Sequence, residues 1–416
     1  MIEKTRTIVV IDLKAFYSFV ECLDRHLDPW TTPLVVADEA RGKNTIVLSV
    51  SPYLKSQGVP SRLRVRDLPT RFNYIFALPR MEHYIDMSAK VVNVFLNFVS
   101  QEDIHIYSID EAFLDITSYL SYYQKTPLEL VETIIKTVKE KTGLAATAGI
   151  GDNFFLAKVA LDVYAKKEKN GIAIMYQEDV KTKLWPISPL NKIWGIGART
   201  EAKLNKLGIF SVKDIALSNL SFLTKNFGVI GEQLYRHAHG IDEADIHEKY
   251  IPQSTSLSIG QVLFKDYNQN NITTILQEMC DDLSERMRVE GKCSSLVSLF
   301  IGYSKNQGGF SKQLSLLHAT DNTKLLYEAI LEIFHENIEN LPIRNVGLSF
   351  GKLINSGFQQ LNIFEDQNKQ IKNSILLTTI DKIHQRYGKN ILLRASALTS
   401  DSTIKERHEQ IGGHHR

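Results

Sequence analysis

The chain has 416 residues with 43% hydrophobic and 23% charged content, which is typical of a soluble protein with roughly two to four domains. Its formal net charge of +2 excludes nucleic-acid binding through the field of the whole molecule, so such affinity must come from local basic surfaces. No segment has the length of a membrane span or of a signal-peptide core, and the three cysteines lack metal-ligand spacing. A cytoplasmic protein without membrane contact and with buried thiols is therefore expected.

Three acidic residues stand beside predicted strands in the first part of the chain. Residues 7–11 form an apolar strand pattern that ends at Asp12. Residues 104–117 contain two segments that alternate with period two, so Asp110 and Glu111 between them are predicted at the tight turn of a hairpin. If the first strand lies beside this hairpin, three carboxylates gather at one sheet edge, where a divalent cation must neutralise them. Oxygen-only ligands favour magnesium.

The other elements change in character along the chain. Before residue 190 strands and helices are mixed, and the clearest are a strand at 45–50, a helix at 128–138 and a strand at 145–149. From about residue 190 only helices are predicted. After a polar stretch the order becomes β-α-β-β-α-β, the split ferredoxin-like unit. A last helix is predicted at 371–387.

Two strings of this sequence resemble signatures of the Y-family translesion DNA polymerases. They are Ile11-Asp12-Leu13-Lys14-Ala15-Phe16-Tyr17-Ser18-Phe19-Val20-Glu21 and Ser108-Ile109-Asp110-Glu111-Ala112-Phe113-Leu114-Asp115. The resemblance is to the UmuC-like branch from Gram-positive bacteria, the catalytic subunits of polymerase V type. It implies an α+β fold, a right-hand polymerase with a ferredoxin-like palm, small fingers, a helix-hairpin-helix thumb and a β-α-β-β-α-β little finger.

The resemblance also implies how the chain is divided into domains. These are a palm at 1–24 and 81–185, fingers at 25–80, a thumb at 186–247, a linker at 248–254, a little finger at 255–355 and a tail at 356–416. The role of the tail beyond residue 365 is left unassigned.

By the same resemblance, Asp12, Asp110 and Glu111 are the catalytic residues. Asp12 and Asp110 would bridge two magnesium ions, and Glu111 would hold the catalytic one. The backbone carbonyl of Leu13 would complete the shell on the nucleotide side. Such ions lower the pKa of an attacking 3′-hydroxyl and neutralise the triphosphate. For any one acid alone, solvation at a turn or strand end is the simpler explanation, and Asp115 is interpreted as structural.

The incoming nucleotide is expected between palm and fingers. Tyr17 aligns with the steric gate of the family, an aromatic ring that collides with a ribose 2′-hydroxyl, and Phe16 would flank the sugar. By composition alone, an aromatic pair at this place is more often core. Triphosphate contacts are implied for Ser49, Lys55 and Lys166.

Three positions bear on these implied triphosphate contacts, and two of them depart from the pattern of the family. Pro52 stands where several relatives carry a tyrosine that touches the triphosphate. Lys55 replaces an arginine, so a bidentate clamp becomes a point charge. Lys158 lies one helical face away from Lys166 and is expected to support the palm instead.

Contacts with the DNA backbone are implied in two domains. A glycine turn with nearby cations resembles the helix-hairpin-helix of a polymerase thumb, whose exposed amides hold a phosphate without reading sequence. A strand of small residues in the little finger would approach the template. The residues concerned are Gly195, Gly197, Arg199, Lys203, Ser256, Ser258 and Gly260.

The string Gln360-Leu361-Asn362-Ile363-Phe364 resembles the pentapeptide by which bacterial polymerases dock on the sliding clamp. Leu361, Ile363 and Phe364 would be apolar anchors, and Gln360 would hydrogen-bond at the rim of the pocket. The string at 313–317 looks similar but lies within a predicted strand, so its apolar residues are expected in the core.

The predicted function is error-prone, template-directed DNA synthesis past lesions in the SOS response. Primer-template DNA, dNTPs and the β sliding clamp are the partners, and the resemblance adds an accessory UmuD-like subunit, a recombinase filament and association with the nucleoid. Two alternatives are weighed against it. A nucleotidyl cyclase would lack the thumb glycines and the clamp-like peptide. A catalytically silent clamp- and DNA-binding accessory protein would not need the three acids.

Overall fold

The computed structural model describes residues 6–248, 255–356 and 367–416, with the backbone alone at 367–370. Its contacts divide the chain into two compact units, Met1–Lys249 and Tyr250–Arg416, and the division falls in the predicted linker. Within the described ranges, no helix combines the length and the apolar character that a membrane crossing requires.

The strands of the first unit form two sheets. They are β1 Ile8–Leu13, β2 Leu34–Val36, β3 Ser49–Val50, β4 Ile75–Ala77, β5 Ile104–Ile106, β6 Glu111–Asp115, β7 Ala146–Gly151 and β8 Ile172–Met175. The central sheet has the order β5-β6-β1-β7-β8, and the small one has the order β3-β2-β4. The predicted strand at 45–50 is shorter than expected, since only its last two residues pair as β3.

Helices pack on the central sheet, and further helices follow its last strand in the chain. They are α1 Phe16–Asp24, α2 Pro52–Ser56, α3 Met81–Phe95, α4 Tyr119–Tyr123, α5 Pro127–Thr142, α6 Phe154–Val159, α7 Ala198–Lys206, α8 Val212–Leu217, α9 Leu220–Phe227 and α10 Val229–Ala238. Local sequence sets their ends. Helix α5, for example, begins at a capping box between Thr126 and Glu129 and ends at Gly143 in the left-handed conformation.

Alternate residues of β1 enter two different cores. Val9 and Ile11 pack with α1, α3 and α5 on one face of the sheet. Ile8 and Val10 pack on the other face with α6 and with the helices from α7 onward. Because β1 is buried on both faces, all its residues are apolar except Asp12. Asp12 lies on the same face of the sheet as Ile8 and Val10.

The small sheet has a hydrophobic core of its own. Its buried residues are Val35, Ala37, Val47, Val50, Leu54, Val59 and Leu68. The small size of this core limits how much of a substrate these residues can enclose.

Helix α6 lies unusually close to the central sheet because β7 carries glycines. A Cβ atom built on Gly149 would come within 2.1 Å of the carbonyl oxygen of Ala157, and one on Gly151 within 2.5 Å of the Ala157 nitrogen. Any larger residue at either position would push α6 away. This close packing brings the side chains of α6 to the acids on β1 and β6.

The second unit confirms the predicted β-α-β-β-α-β order. Its elements are β9 Leu257–Tyr267, α11 Ile272–Val289, β10 Lys292–Tyr303, β11 Gly309–Thr320, α12 Thr323–Asn337 and β12 Ile343–Asn355. The sheet order is β11-β10-β12-β9, and both helices pack on one face over a single core. The other face is open and carries small residues such as Ser258 and Gly260 beside the larger exposed side chains of Phe300 and Leu317.

The tail folds against helix α11 of the same unit. It contains α13 Gln367–Tyr387, α14 Ile404–His408 and a hairpin of β13 Gln410–Ile411 with β14 His414–His415. The predicted helix at 371–387 is therefore confirmed. Arg288 of α11 donates two hydrogen bonds, of 2.7 and 2.8 Å, to the carboxylate of Asp381 in α13. Thus the tail is a structural layer of this unit.

A buried carboxylate, Asp282 of α11, anchors the rest of the tail. It contacts three basic residues of the tail at distances between 2.7 and 3.3 Å, namely Arg407, His408 and Lys389. Burial alone would raise its pKa, but the hydrogen bond with His408 and the positive charges of Arg407 and Lys389 hold the pKa of Asp282 well below its usual range.

The Asp282→Ala variant is expected to unfold more readily, by about 3–5 kcal/mol, because the tail cations lose their buried counter-charge. Asp281→Ala is the matched control, since its pair with Arg394 is more exposed and contributes about 1 kcal/mol or less. Urea unfolding at pH 7 measures both changes, and equal midpoints would contradict the expectation. Because the pKa of Asp282 is lowered, its stabilising effect is complete above the ordinary value of 3.8 and is lost as the pH falls further.

Candidate active site

Asp12 and Glu111 lie directly opposite each other on the antiparallel strands β1 and β6. Alternate residues of a strand share a face, so both acids belong to the face on which Val10 and Phe113 are buried. Asp110 precedes β6, and its carbonyl oxygen accepts a hydrogen bond of 2.8 Å from the Leu13 nitrogen. The three predicted acids therefore meet where these two strands adjoin.

The hairpin that carries two of the acids differs from its prediction. Residues 107–110 connect β5 and β6, in place of a tight turn at the acids themselves. The amides of Tyr107 and Ser108 both donate to the carbonyl oxygen of Glu111 at 3.0 Å, which closes the connection before the strand begins. Glu111 is consequently the first residue of a buried strand, and Asp12 lies within β1, not after it.

Burial of these acids makes their negative charges costly. Burial raises the pKa of Asp12 to about 6, with Lys166 opposing the shift and the charges of Asp110 and Glu111 adding to it. Burial also raises the pKa of Glu111, against the ion pair with Lys158. A bound divalent cation is the kind of ligand that relieves such repulsion.

The acids have protein partners of their own. The Glu111 carboxylate lies 2.7 Å from Lys158 Nζ, and the Asp110 carboxylate accepts a hydrogen bond of 2.7 Å from Ser108 Oγ. Among the described residues, no three His, Cys, Asp or Glu side chains are arranged as a ready metal cage. The donor set still fits magnesium, which takes one or two carboxylates from the protein and keeps oxygen ligands from water and substrate phosphates.

A strained turn aims the two aromatic residues of α1. Ala15 adopts a left-handed conformation with φ 48°, which is unfavourable for a residue with a side chain. It places the rings of Phe16 and Tyr17 at a centroid distance of 5.6 Å directly after the strand that bears Asp12. Burial raises the pKa of Tyr17, and the charge of Asp110 adds to the shift while that of Arg62 opposes it. Thus Tyr17 is within electrostatic reach of Asp110 and also of Arg62, which follows α2 in the chain.

The sequence did not reveal what supports Tyr17. Its ring packs against Tyr84 of α3 at 4.7 Å, and Tyr84 is fully buried. Tyr84 Oη donates a hydrogen bond of 2.6 Å to the buried Glu21, which also accepts one of 2.9 Å from Arg80. These contacts join residues about 60 positions apart, a separation that no local pattern signals.

The predicted triphosphate cations converge on the acids. Burial lowers the pKa of Lys55, while the charges of Asp12 and Asp110 raise it and that of Lys166 lowers it. Lys55 comes from α2 and Lys166 from the segment after α6, so two separate elements supply positive charge to the electrostatic environment of the acids. Such a pair of cations beside acids is what a metal-bound triphosphate requires.

Ser49 has a different environment. Its side chain is buried and hydrogen-bonds to Ser18 Oγ at 2.9 Å and to the carbonyl oxygen of Ala15 at 3.4 Å. These bonds tie β3 to the strained turn, and a direct contact with nucleotide stays a prediction. Asp115, interpreted as structural, accepts a hydrogen bond of 2.9 Å from the Thr117 amide.

Lys158 does more than support the palm. Its side chain is only 8% exposed and contacts both Glu111 and Asp162. Asp162 lies 3.1 Å from Lys158 Nζ and 3.3 Å from Lys166 Nζ. The spacing of Lys158, Asp162 and Lys166 by four residues each could have indicated this chain of ion pairs.

The thumb residues occupy a turn and the helix after it. Gly195 has a φ of +86°, in the left-handed region that favours glycine, and Gly197 precedes the first turn of α7. Arg199 is exposed at this helix start. Lys203 donates to the Asn226 carbonyl oxygen and lies 4.4 Å from the Phe227 ring, so its structural contacts are within the thumb.

The predicted DNA-binding residues of the little finger lie at its open face. Ser258 and Gly260 are exposed on β9, opposite Ser349 and Gly347 of β12, and Ser256 precedes the strand. Gln360, Leu361, Ile363 and Phe364 lie outside the described residues. The similar string at 313–317 is part of β11, as predicted, and Leu314 and Leu316 pack against the core, but Leu317 is 90% exposed, so its expected burial was wrong.

Sequence profiles of one family match both units. The impB/mucB/samB family profile matches residues 11–162, the IMS family HHH motif matches 177–209, and the impB/mucB/samB family C-terminal domain matches 254–363. The second of these supports the helix-hairpin-helix character of the segment that contains Gly195 and Gly197.

Two relatives from Bacillus subtilis (strain 168) align with almost the whole chain. The putative UV-damage repair protein UvrX is 35% identical over 98% of this chain and 97% of its own length. DNA polymerase IV 2 is 30% identical over 99% of this chain and 100% of its own length. These names do not distinguish the UmuC-like branch, which stays a prediction.

Among solved structures, the chain is similar to a Y-family DNA polymerase chimera, Dbh-Dpo4(243-245)-Dbh, with a TM-score of 0.67 and 21% identity. The match covers 84% of this chain and 99% of that chain, and it confirms the predicted α+β right-hand polymerase fold. Since family profiles and near-full-length relatives agree with this fold, the chain belongs to the impB/mucB/samB family, the Y family of DNA polymerases.

Proposed function

We propose that this polymerase copies DNA past template lesions, transferring nucleotides from dNTPs to a primer 3′-hydroxyl with two magnesium ions. The observation that carries the proposal is the position of the three acids. Asp12 and Glu111 lie opposite each other on β1 and β6, and the carbonyl oxygen of Asp110 accepts a hydrogen bond from the Leu13 amide next to them. Lys55 and Lys166 lie within electrostatic reach of these acids. The site thus offers metal ligands and phosphate ligands together.

The side chains divide the work of the reaction. Bound magnesium would lower the pKa of the attacking hydroxyl and neutralise the leaving pyrophosphate. Asp12, Asp110, Glu111 and the Leu13 carbonyl would hold it. Lys55 and Lys166 would bind and orient the triphosphate, each as a point charge. The Tyr17 ring would lie under the deoxyribose.

Lesion bypass is supported by the small fingers. Their strands have two or three residues each, and α2 has five. A domain of this size covers little of a nascent base pair, so a distorted template base meets few protein contacts. The cost is weak grip on DNA, which would depend on few phosphate contacts and fall steeply with salt.

Primer extension on undamaged and lesion-containing templates tests the proposal. Addition is expected on both, to require magnesium, and to stop when the metal is chelated. If nucleotides are added only on the undamaged template, the enzyme is a polymerase without lesion bypass. If none are added on either template, the catalytically silent accessory protein is favoured. The cross-strand arrangement of the acids argues against that second function, because a silent protein has no use for such buried repulsion.

We also propose that residues 360–364 dock on the β sliding clamp. Replacing Leu361, Ile363 and Phe364 with alanine should remove stimulation by the clamp, because tethering raises the local enzyme concentration without new DNA contacts. Clamp-free synthesis should not change. Leu317→Ala is the matched control, since Leu317 is 90% exposed in the similar string on β11. A triple variant that binds the clamp with parental affinity in a titration would contradict this role.

A further inference from the structure

Lys158 is a buried lysine with two acidic neighbours. Its Nζ lies 2.7 Å from Glu111 Oε1 and 3.1 Å from Asp162 Oδ2, and 5.9 Å from the centre of the Tyr107 ring. The side chain is 8% exposed, as is that of Glu111. A buried ammonium group needs such counter-charges, and a buried carboxylate needs the ammonium in return.

Asp162 in turn is shared between two lysines. It lies 3.1 Å from Lys158 Nζ and 3.3 Å from Lys166 Nζ. Residues 160–164 form a π-helical turn, wider than an α-helical one, between these two lysines. Asp162 is 27% exposed, so it can strengthen its contact with one lysine as the other leaves. The order of charges along this chain is Glu111, Lys158, Asp162, Lys166.

The ammonium group of Lys158 is paired with the Glu111 carboxylate, which is the same group that would bind a divalent cation. A cation on Glu111 would stand close to the positive charge of Lys158, and two positive charges on one buried carboxylate repel. Lys158 already contacts a second acid, Asp162, in the π-helical turn that follows α6, and this contact can remain when a cation occupies Glu111. Removing the ion from Glu111 would return Lys158 to it, which keeps the acid paired in the absence of metal.

We propose that Lys158 and Asp162 are positioning residues that set the affinity of Glu111 for a divalent cation: Lys158 pairs with both acids until a cation binds Glu111 and then keeps Asp162 as its only partner. This rests on the proposed metal site. The pair keeps Glu111 neutralised while no cation is bound. It also couples the site to the nucleotide, because triphosphate that draws Lys166 away leaves Asp162 free for Lys158.

Manganese titration of the full chain without DNA or nucleotide, followed by the electron paramagnetic resonance of free Mn²⁺, measures this affinity. Lys158→Met keeps the length of the stem and removes the charge, so binding should tighten by about tenfold. Asp162→Asn should weaken binding by a similar factor, because Lys158 then pairs with Glu111 alone. Lys158→Arg, which keeps the charge, should bind nearly as the parent does and serves as a control for folding.

The double variant Lys158→Met with Asp162→Asn shows whether Asp162 affects cation binding through Lys158 or directly through its own negative charge. If Asp162 acts through Lys158, then Asp162→Asn should have little effect once Lys158→Met is present. An undiminished effect in that background, or a Lys158→Met variant that binds no tighter, would overturn the inference. Melting curves of all variants show whether they are folded.

The proposed metal site itself is tested separately. Mn²⁺ binding should be lost when Asp110 and Glu111 are both replaced with alanine. If that variant binds Mn²⁺ as the parent does, the metal site and the inference fail together. If it loses Mn²⁺ while Lys158→Met changes nothing, only the inference fails.

Discussion

Replacing Asp110 and Glu111 together with alanine is expected to abolish nucleotide addition while primer-template binding stays nearly parental. The loss should be at least about 10³-fold in the single-turnover rate, since the change removes groups that hold charge in the transition state. The predicted DNA contacts lie on other surfaces, namely those of the thumb and the little finger. Rapid-quench extension and fluorescence anisotropy measure the two quantities on the same preparations.

Asp115→Asn provides the control for this double substitution. Asp115 lies four residues along β6 from Glu111, on the same face, and its carboxylate bonds to Thr117. The variant should therefore extend primers at nearly the parental rate. Near-normal extension by the double alanine variant would show that the chemistry takes place elsewhere.

Replacing Tyr17 with alanine is expected to admit ribonucleotides. The preference for dNTPs over rNTPs should fall by about 10²-fold, while dNTP addition changes little, because exclusion here is a steric clash with the 2′-hydroxyl. The Tyr84 ring packs against that of Tyr17 at a centroid distance of 4.7 Å, and this contact limits rotation of Tyr17 away from the sugar.

The ratio of kcat/KM for dATP to kcat/KM for ATP on one template measures this preference. Tyr17→Phe is the matched control, since it keeps the ring and loses only the hydroxyl group, and it should retain the discrimination. An unchanged ratio in Tyr17→Ala would assign the gate to another residue. Phe16, whose ring lies 5.6 Å away, would then be the next candidate.

Local patterns in the sequence determined much of this protein. The period of apolar residues predicted the β-α-β-β-α-β order of the second unit and the helix at 371–387, and both are present. The two acidic strings identified Asp12, Asp110 and Glu111 as one set, and the pairing of β1 with β6 then brings these acids together. Elements of this kind are readable because they depend on residues a few positions apart.

Only the tertiary structure decided which partners these acids have. Lys158 reaches Glu111 because Gly149 and Gly151 let α6 approach the sheet, and Ser49 is buried because β3 packs on the turn at Ala15. The tail likewise pairs with Asp282 across about 125 residues. Such contacts are set by how strands and helices pack, and no spacing along the chain encodes the distance between two elements or the direction of a buried side chain.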